Sequence, residues 1–253
     1  MQILSLGIPL ARWLTRGYAS RVFARFETTI QFESRAGLIW AITTRDHPGA
    51  YRAMVDELGV GQISNLSFDH SARWDPRPRS RALDEYARVI AAWEIVLARR
   101  DLPDALGFWD LLADSWEPIR DGLHQRDVAR LRAIFARLIG RGPGLTPTGD
   151  DFTQALLITL RTGDANDRAA FQSLARAIAP LIANTTRASQ QFLREALSGY
   201  AFGALKDLLD DLPNLSPVTM QKLLSIGATS GMAYLFGVRM GIDIGARTNA
   251  DDR

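Results

Sequence analysis

RVFARFETTIQFESRAGLIWAITT, residues 21–44, alternates large apolar side chains with polar ones. Val22, Phe26, Thr28, Ile30 and Phe32 recur near period two, and Leu38, Ile39, Trp40 and Ile42 resume after Ser34–Gly37. Aromatic and β-branched residues on both sides of a Gly-containing turn predict a strand hairpin. Toward the N-terminus, MQILSLGIPLARWLTRGYASR is apolar at first but carries Arg12 and Arg16 within and after the apolar stretch. A signal peptide places its positive charge before that stretch and ends in small residues, so none is expected here. Toward the C-terminus, residues 50–58 predict a short helix stopped by Gly59, and Ile63 to Phe68 a further strand. His70–Ser80, with Pro76, Pro78 and a run of charge, reads as a loop and the domain boundary.

Beyond residue 80 the period changes. In RALDEYARVIAAWEIVLARR, residues 81–100, Leu83, Tyr86, Ile90, Trp93 and Leu97 share one helical stripe. Helical pieces are expected at 104–113, 117–124, 127–139, 151–162, 167–183, 187–198, 200–211, 217–225 and 231–241. Ser216 before Pro217 is an N-cap and first-turn pair. The expected class is α+β: a small β-rich N-terminal part, residues 1–80, followed by a larger all-helical domain, residues 81–253.

Composition narrows the chemistry. With 30 basic and 28 acidic residues the net charge is only +2, and neither side of residue 80 carries a large excess. Nucleic-acid binding is therefore disfavoured. Zero cysteines remove thiolate nucleophiles, disulfides and thiolate zinc sites. His47, His70 and His124 are the only histidines, and no two stand at a metal-ligand spacing. No run approaches the length of a membrane span, and the protein is expected to be soluble and cytoplasmic.

The unusual segment is GRGPGLTPTGDDF, residues 140–152, with four glycines and two prolines between two apolar helices. Such a loop brings backbone N–H groups close to a ligand, and the helix start that follows adds a positive partial charge. Gly142, Gly144, Thr146, Thr148 and Gly149 are candidate ligand-binding residues, and Asp150 and Asp151 candidate catalytic ones. The Gly-Lys-Ser/Thr order of a Walker loop is missing, and no predicted strand precedes the segment. A second reading is plain capping, with Thr148 and Asp151 at capping-box spacing. Two carboxylates repel a bare phosphate, so Asp150 and Asp151 would hold either a divalent metal such as Mg²⁺ or the N–H donors of a ligand. NTTRAS, residues 184–189, adds Thr185, Thr186, Arg187 and Ser189 at a helix start. GATSG, residues 227–231, adds Thr229, Ser230 and Gly231. Hydroxyls and N–H groups at helix starts suit phosphate or carboxylate, but each is also an ordinary cap.

GRGPGLTPTGDDF resembles the G-x-GPGLTP-(S/T)-GDD-F signature of the AllH family, formerly a domain of unknown function associated with oxamate carbamoyltransferase. TTRASQQFLREALSGYAFGALKDLL, residues 185–209, and SIGATSG, residues 225–231, are similar to later family segments, in the same order. The N-terminal strand region is similar more weakly, so the resemblance runs from about Arg21 to Gly241. It implies a β-rich start followed by a helical domain. It also implies a subunit of an enzyme that moves a carbamoyl group between phosphate and oxamate at the end of allantoin breakdown, a purine-catabolic step. The implied partners are an FdrA-like subunit and a second large subunit. Where the family pattern has Gly-His-(Ser/Thr)-Ser-Gly followed by an aspartate, this chain has Ala228 and, near the aspartate, Ala233. Two readings follow: a transferase subunit acting by positioning and charge stabilisation, or a non-catalytic binding or scaffold subunit with a vestigial pocket.

Overall fold

The computed structural model describes residues 3–14, 20–25, 29–44, 51–55, 72–80, 105–214 and 216–248. The class is α+β and mostly helical. The chain divides into two compact units, Met1–Arg77 with Tyr200–Lys206, and Pro78–Gly199 with Asp207–Arg253. The expected helical stripe at 81–100 and the strand at 63–68 lie outside the described residues.

In the first unit, strands β1 (Ile3–Gly7), β2 (Ser20–Arg25), β3 (Thr29–Ser34), β4 (Ile39–Thr43), β5 (Arg52–Val55) and β6 (Ala72–Trp74) form one sheet ordered β2-β3-β4-β5-β1-β6. The hairpin predicted from residues 21–44 is present. Its turn closes with Gly37 N–H donating to Ser34 C=O at 3.0 Å and Leu38 N–H to Ser34 Oγ at 3.0 Å. Phe32 pairs across the antiparallel ladder with Trp40, their rings stacked at 4.3 Å, and Ile30 pairs with Ile42. That face is buried with Leu6 and with Leu10 and Ala11 of helix α1 (Ile8–Leu14). Cross-strand aromatic and β-branched pairs of this kind are what fix a sheet's register.

Two local expectations give way here. The helix expected over 50–58 is not formed at Arg52–Val55, which runs as β5, parallel to β4 and antiparallel to β1. The helical spacing of that short stretch is overridden by two backbone ladders, because strand preference is decided by tertiary context. Ala72–Trp74, within the expected loop, pairs with β1 as β6.

The second unit is built from α2 (Phe108–His124), α3 (Val128–Leu138), α4 (Thr148–Thr162), α5 (Ala165–Ile178), a 3₁₀ turn at Ala179–Asn184, α6 (Arg187–Leu197), α8 (Pro217–Leu224) and α9 (Ser230–Thr248). Helix α7 (Gly203–Asp210) contributes residues to both units. The two pieces expected at 104–113 and 117–124 are a single helix through Pro118. Phe108, Leu112, Ser115, Ile119 and Leu123 form a buried stripe on it. Packing of that stripe outweighs the hydrogen bond lost at the proline. Ser216 caps α8 as expected, accepting from Val218 N–H at 3.2 Å ahead of Pro217.

Helix α4 is the centre of this unit, with every residue but Arg161 buried. Two of its buried threonines are satisfied within the helix: Thr153 donates to Gly149 C=O at 2.6 Å and Thr159 to Ala155 C=O at 2.8 Å. Helix α9 lies directly on it. A Cβ at Gly237 would stand 2.3 Å from Phe152 C=O, and one at Gly241 2.6 Å from Thr159 Cγ2. The contacts advance together, from Thr148 with Thr229 to Asp151 with Tyr234 and on to Thr159 with Gly241, so the helices run parallel. Helix α6 follows the same sense, with Thr185 against Asp150 at one end and Gly199 against Arg161 at the other. Three helix N-termini therefore meet at one end of the unit.

Candidate functional site

The loop before α4 is pinned at its base. Arg141 N–H donates to Leu138 C=O at 3.0 Å, and Gly149 N–H donates back to Arg141 C=O at 2.9 Å. Gly142 has φ of 117°, and a Cβ there would fall 2.5 Å from both N and Oγ1 of Thr148. Gly149 admits no Cβ either, since it would stand 1.9 Å from Leu138 C=O. Two of the glycines thus let backbone approach backbone, where the sequence reading had them approach a ligand.

Thr148 is not the cap of α4. Pro147 holds that position, with no side-chain cap bond. The Thr148 hydroxyl meets that of Thr229 at 3.0 Å, both buried. Pro147 C=O takes the N–H groups of Asp150 at 2.9 Å and Asp151 at 3.2 Å. With Gly149 N–H also committed, most of this helix start is already satisfied.

The two aspartates are 2% and 1% exposed and face different partners. Asp150 Oδ1 accepts from Gly140 N–H at 2.9 Å, and its Oδ2 accepts from the Thr185 hydroxyl. Burial pushes its carboxyl above the usual range, while Thr185, Gly140 and Ser189 pull it back down. Asp151 Oδ1 accepts from the Tyr234 hydroxyl at 2.7 Å, and its Oδ2 is buried without a hydrogen-bond partner. Burial pushes Asp151 up to about 8, against the pull of the Ser230 and Tyr234 hydroxyls, and the neighbouring Asp150 raises it further.

The structure brings together residues from all three Thr-rich segments. Thr148, Asp150 and Asp151 touch or neighbour Thr185, Ser189, Thr229 and Ser230. Thr186 caps α6, accepting from Ser189 N–H at 3.2 Å, and its hydroxyl donates to Leu145 C=O, tying α6 to the loop. Gly231, buried, brings α9 against α8, where a Cβ would stand 2.4 Å from Leu223 C=O. Gly144 and Arg187 are exposed and Thr146 is half-buried, on the outer side of the loop and helix start. Tyr234, which the sequence reading passed over, is 5% exposed and supplies the contact on Asp151. Its one signal in the sequence is its position one helical turn after Ser230.

As a metal site the pair is thin. Its carboxyls are turned to different helices, both oxygens of Asp150 already accept hydrogen bonds, and among the described residues no group of three or more His, Asp or Glu could hold an ion. As an oxyanion site it is richer, with hydroxyls and three positive helix ends gathered around two buried carboxyls. Among the described residues no helix is long and apolar enough to cross a membrane.

No solved structure matches this chain. The resemblance carried by GRGPGLTPTGDDF and its two companions is borne out over the helical region that contains all three: residues 138–242 match the AllH family, described as oxamate carbamoyltransferase subunit AllH.

Proposed function

We propose that this chain is a subunit of an oxamate carbamoyltransferase-like complex, and that the meeting point of α4, α6 and α9 holds its carboxylate, phosphate or carbamoyl ligand. The observation that carries this reading is the convergence itself. Residues from sequence segments far apart, Thr148 with Thr229 and Asp150 with Thr185, are hydrogen-bonded at one end of the unit. Packing alone does not require two buried carboxyls among the starts of parallel helices, whereas a site that handles charged oxygens gains from both.

The chemistry supported is positioning and charge stabilisation. Hydroxyls of Ser189 and Ser230 and the helix ends would orient ligand oxygens, with Thr185 holding Asp150 in place, and no step needs a covalent nucleophile on this chain. As a subunit it would act with other chains, an FdrA-like subunit and a second large subunit, in the handling of a carbamoyl group during allantoin breakdown. The chain's family description as a subunit supports the need for partners.

A second reading, a binding or scaffold subunit without chemistry, is favoured by Ala228 and Ala233. Ala228 is exposed at the start of α9, so a histidine there would have faced solvent beside the site, and Ala233 is fully buried. Thermal unfolding of the chain with carbamoyl phosphate, oxamate, oxalurate, phosphate or nucleotides, each with and without Mg²⁺, tests both readings. A bound ligand at a hundredfold excess over Kd stabilises by about 2.7 kcal/mol. Stabilisation by one of these compounds that is lost in Thr185→Val supports a ligand site. No shift with any compound, alone or with the partner chains present, removes it.

A further inference from the structure

The two buried aspartates differ in a way that assigns them different roles. An ionised carboxylate is an acceptor only and needs donors on both oxygens, whereas a neutral carboxyl carries a donor of its own. Asp150 meets the first requirement, with Gly140 N–H on one oxygen and the Thr185 hydroxyl on the other. Asp151 does not: Tyr234 donates to Oδ1, and Oδ2 is buried without a partner. Leaving a charged oxygen buried and unpaired is costly, and protonation relieves that cost. Resting on the ligand site proposed above, we propose that Asp151 is its hydrogen-bond donor: Oδ2 carries a proton that it donates to an oxygen of a bound oxyanion, carboxylate or phosphate.

The surroundings agree with that division. Around Asp151, α4 brings Asp150, and α9 brings Tyr234 and the Ser230 hydroxyl. Helix α6 brings the hydroxyls of Thr185 and Ser189 to Asp150, while its Arg187 and the loop's Arg141 are exposed. Among the described residues no guanidinium is one of the groups that act on Asp151, and burial holds its proton to about pH 8. Two adjacent carboxyls in one buried site share charge most cheaply when one is ionised and the other protonated. A neutral donor also answers an electrostatic objection to the motif, since an oxyanion then meets one negative carboxyl rather than two. Tyr234 is a positioning residue in this arrangement: by occupying Oδ1 it leaves Oδ2 as the atom that faces the ligand.

The full chain, labelled with ¹³C at aspartate carboxyls, reads the protonation state without any ligand. One resonance, absent from Asp151→Asn, is expected to stay in the protonated position until about pH 8. In Tyr234→Phe, which lacks the donor on Oδ1, that resonance is expected to titrate at still higher pH. A resonance that moves with the ordinary carboxylates overturns the proposal, whatever the site binds. Affinity for inorganic phosphate and for oxamate is the second arm. Wild-type affinity for at least one probe is expected to fall about tenfold per pH unit above that titration. Asp151→Asn, whose amide N–H₂ replaces the acid's donor, is expected to bind that probe with pH-independent affinity. The probe that binds distinguishes a phosphate from a carboxylate site. Binding that is flat with pH in the wild type, or abolished in Asp151→Asn, overturns the donor role and leaves the site standing. Binding of neither probe at any pH, with the partner chains present, overturns both.

Discussion

Two successive helices begin with the same spacing, a polar residue followed three positions later by an aspartate: Thr148 to Asp151 at α4, and Asp164 to Asp167 at α5. At α5 the spacing is closed locally. Asp164 Oδ1 accepts from Asn166 and Asp167 N–H at 2.7 and 3.0 Å, and Asp167 Oδ2 returns to Asp164 N–H at 3.0 Å. This is a complete capping box. At α4 the same spacing does none of that. Its hydroxyl reaches Thr229, and its acids reach Gly140, Thr185 and Tyr234. The difference teaches that a capping pattern in sequence is satisfied either by its own backbone or by distant segments, and the second case is the one found at the proposed site.

The contrast is broken most directly by pH. Asp151 is pushed up to about 8 in the folded chain, well above its value when unfolded, so its contribution is full in acid and is lost as pH rises through the folded value. Denaturant titrations of wild type and Asp151→Asn are expected to diverge by about 1.4 kcal/mol per pH unit between about pH 4 and pH 8, with the wild type losing ground. Equal slopes for wild type and Asp151→Asn would leave Asp151 no different from a surface acid.

Gly149→Ala is the next largest effect. Its Cβ would enter the space of Leu138 C=O, at a cost of about 3 kcal/mol in equilibrium unfolding. A neutral result would show that the loop and α4 do not meet as described. Removing the local box by Asp164→Ala is expected to cost about 1–2 kcal/mol and to leave ligand affinity unchanged. Thr148→Val leaves the buried Thr229 hydroxyl without its partner and is expected to cost about 1–3 kcal/mol, most of which the double change with Thr229→Val recovers. If Thr148 capped its own helix, the double variant would instead be the sum of the singles. The smallest effect belongs to Leu145→Ser, on a side chain 56% exposed at the loop tip, within about 0.5 kcal/mol of wild type by thermal unfolding.

Much of this arrangement is legible in the sequence, for physical reasons that can be named. The hairpin of residues 21–44 is readable because Phe32, Trp40, Ile30 and Ile42 pair on the one face its alternation predicts. The helices at 128–138 and 187–197 carry their own caps, Asp127 and Thr186, next to them in the chain. The strand at Arg52–Val55 is not readable, because its ladders with β4 and β1, and not its own short residue pattern, set its conformation. GRGPGLTPTGDDF stands out by composition, yet which of its residues face inward follows only from the parallel course of α4, α6 and α9. Tyr234 is hidden for the same reason: in MAYLFGV, residues 232–238, it reads as one more apolar core residue, and its hydroxyl gains meaning only when α9 lies along α4.

Because α4 is enclosed over nearly its whole length, its amide protons reach solvent only when the unit as a whole opens. The aspartates at its first turn therefore have no fraying end to follow. Deuterium uptake at Asp150 and Asp151 is expected to report global unfolding, while uptake at Gly144 and Leu145, on the exposed tip, follows local motion. Heat that inactivates such a centre does so in one step with the loss of the fold, and a bound molecule would register first as slowed exchange at the tip rather than within the helix.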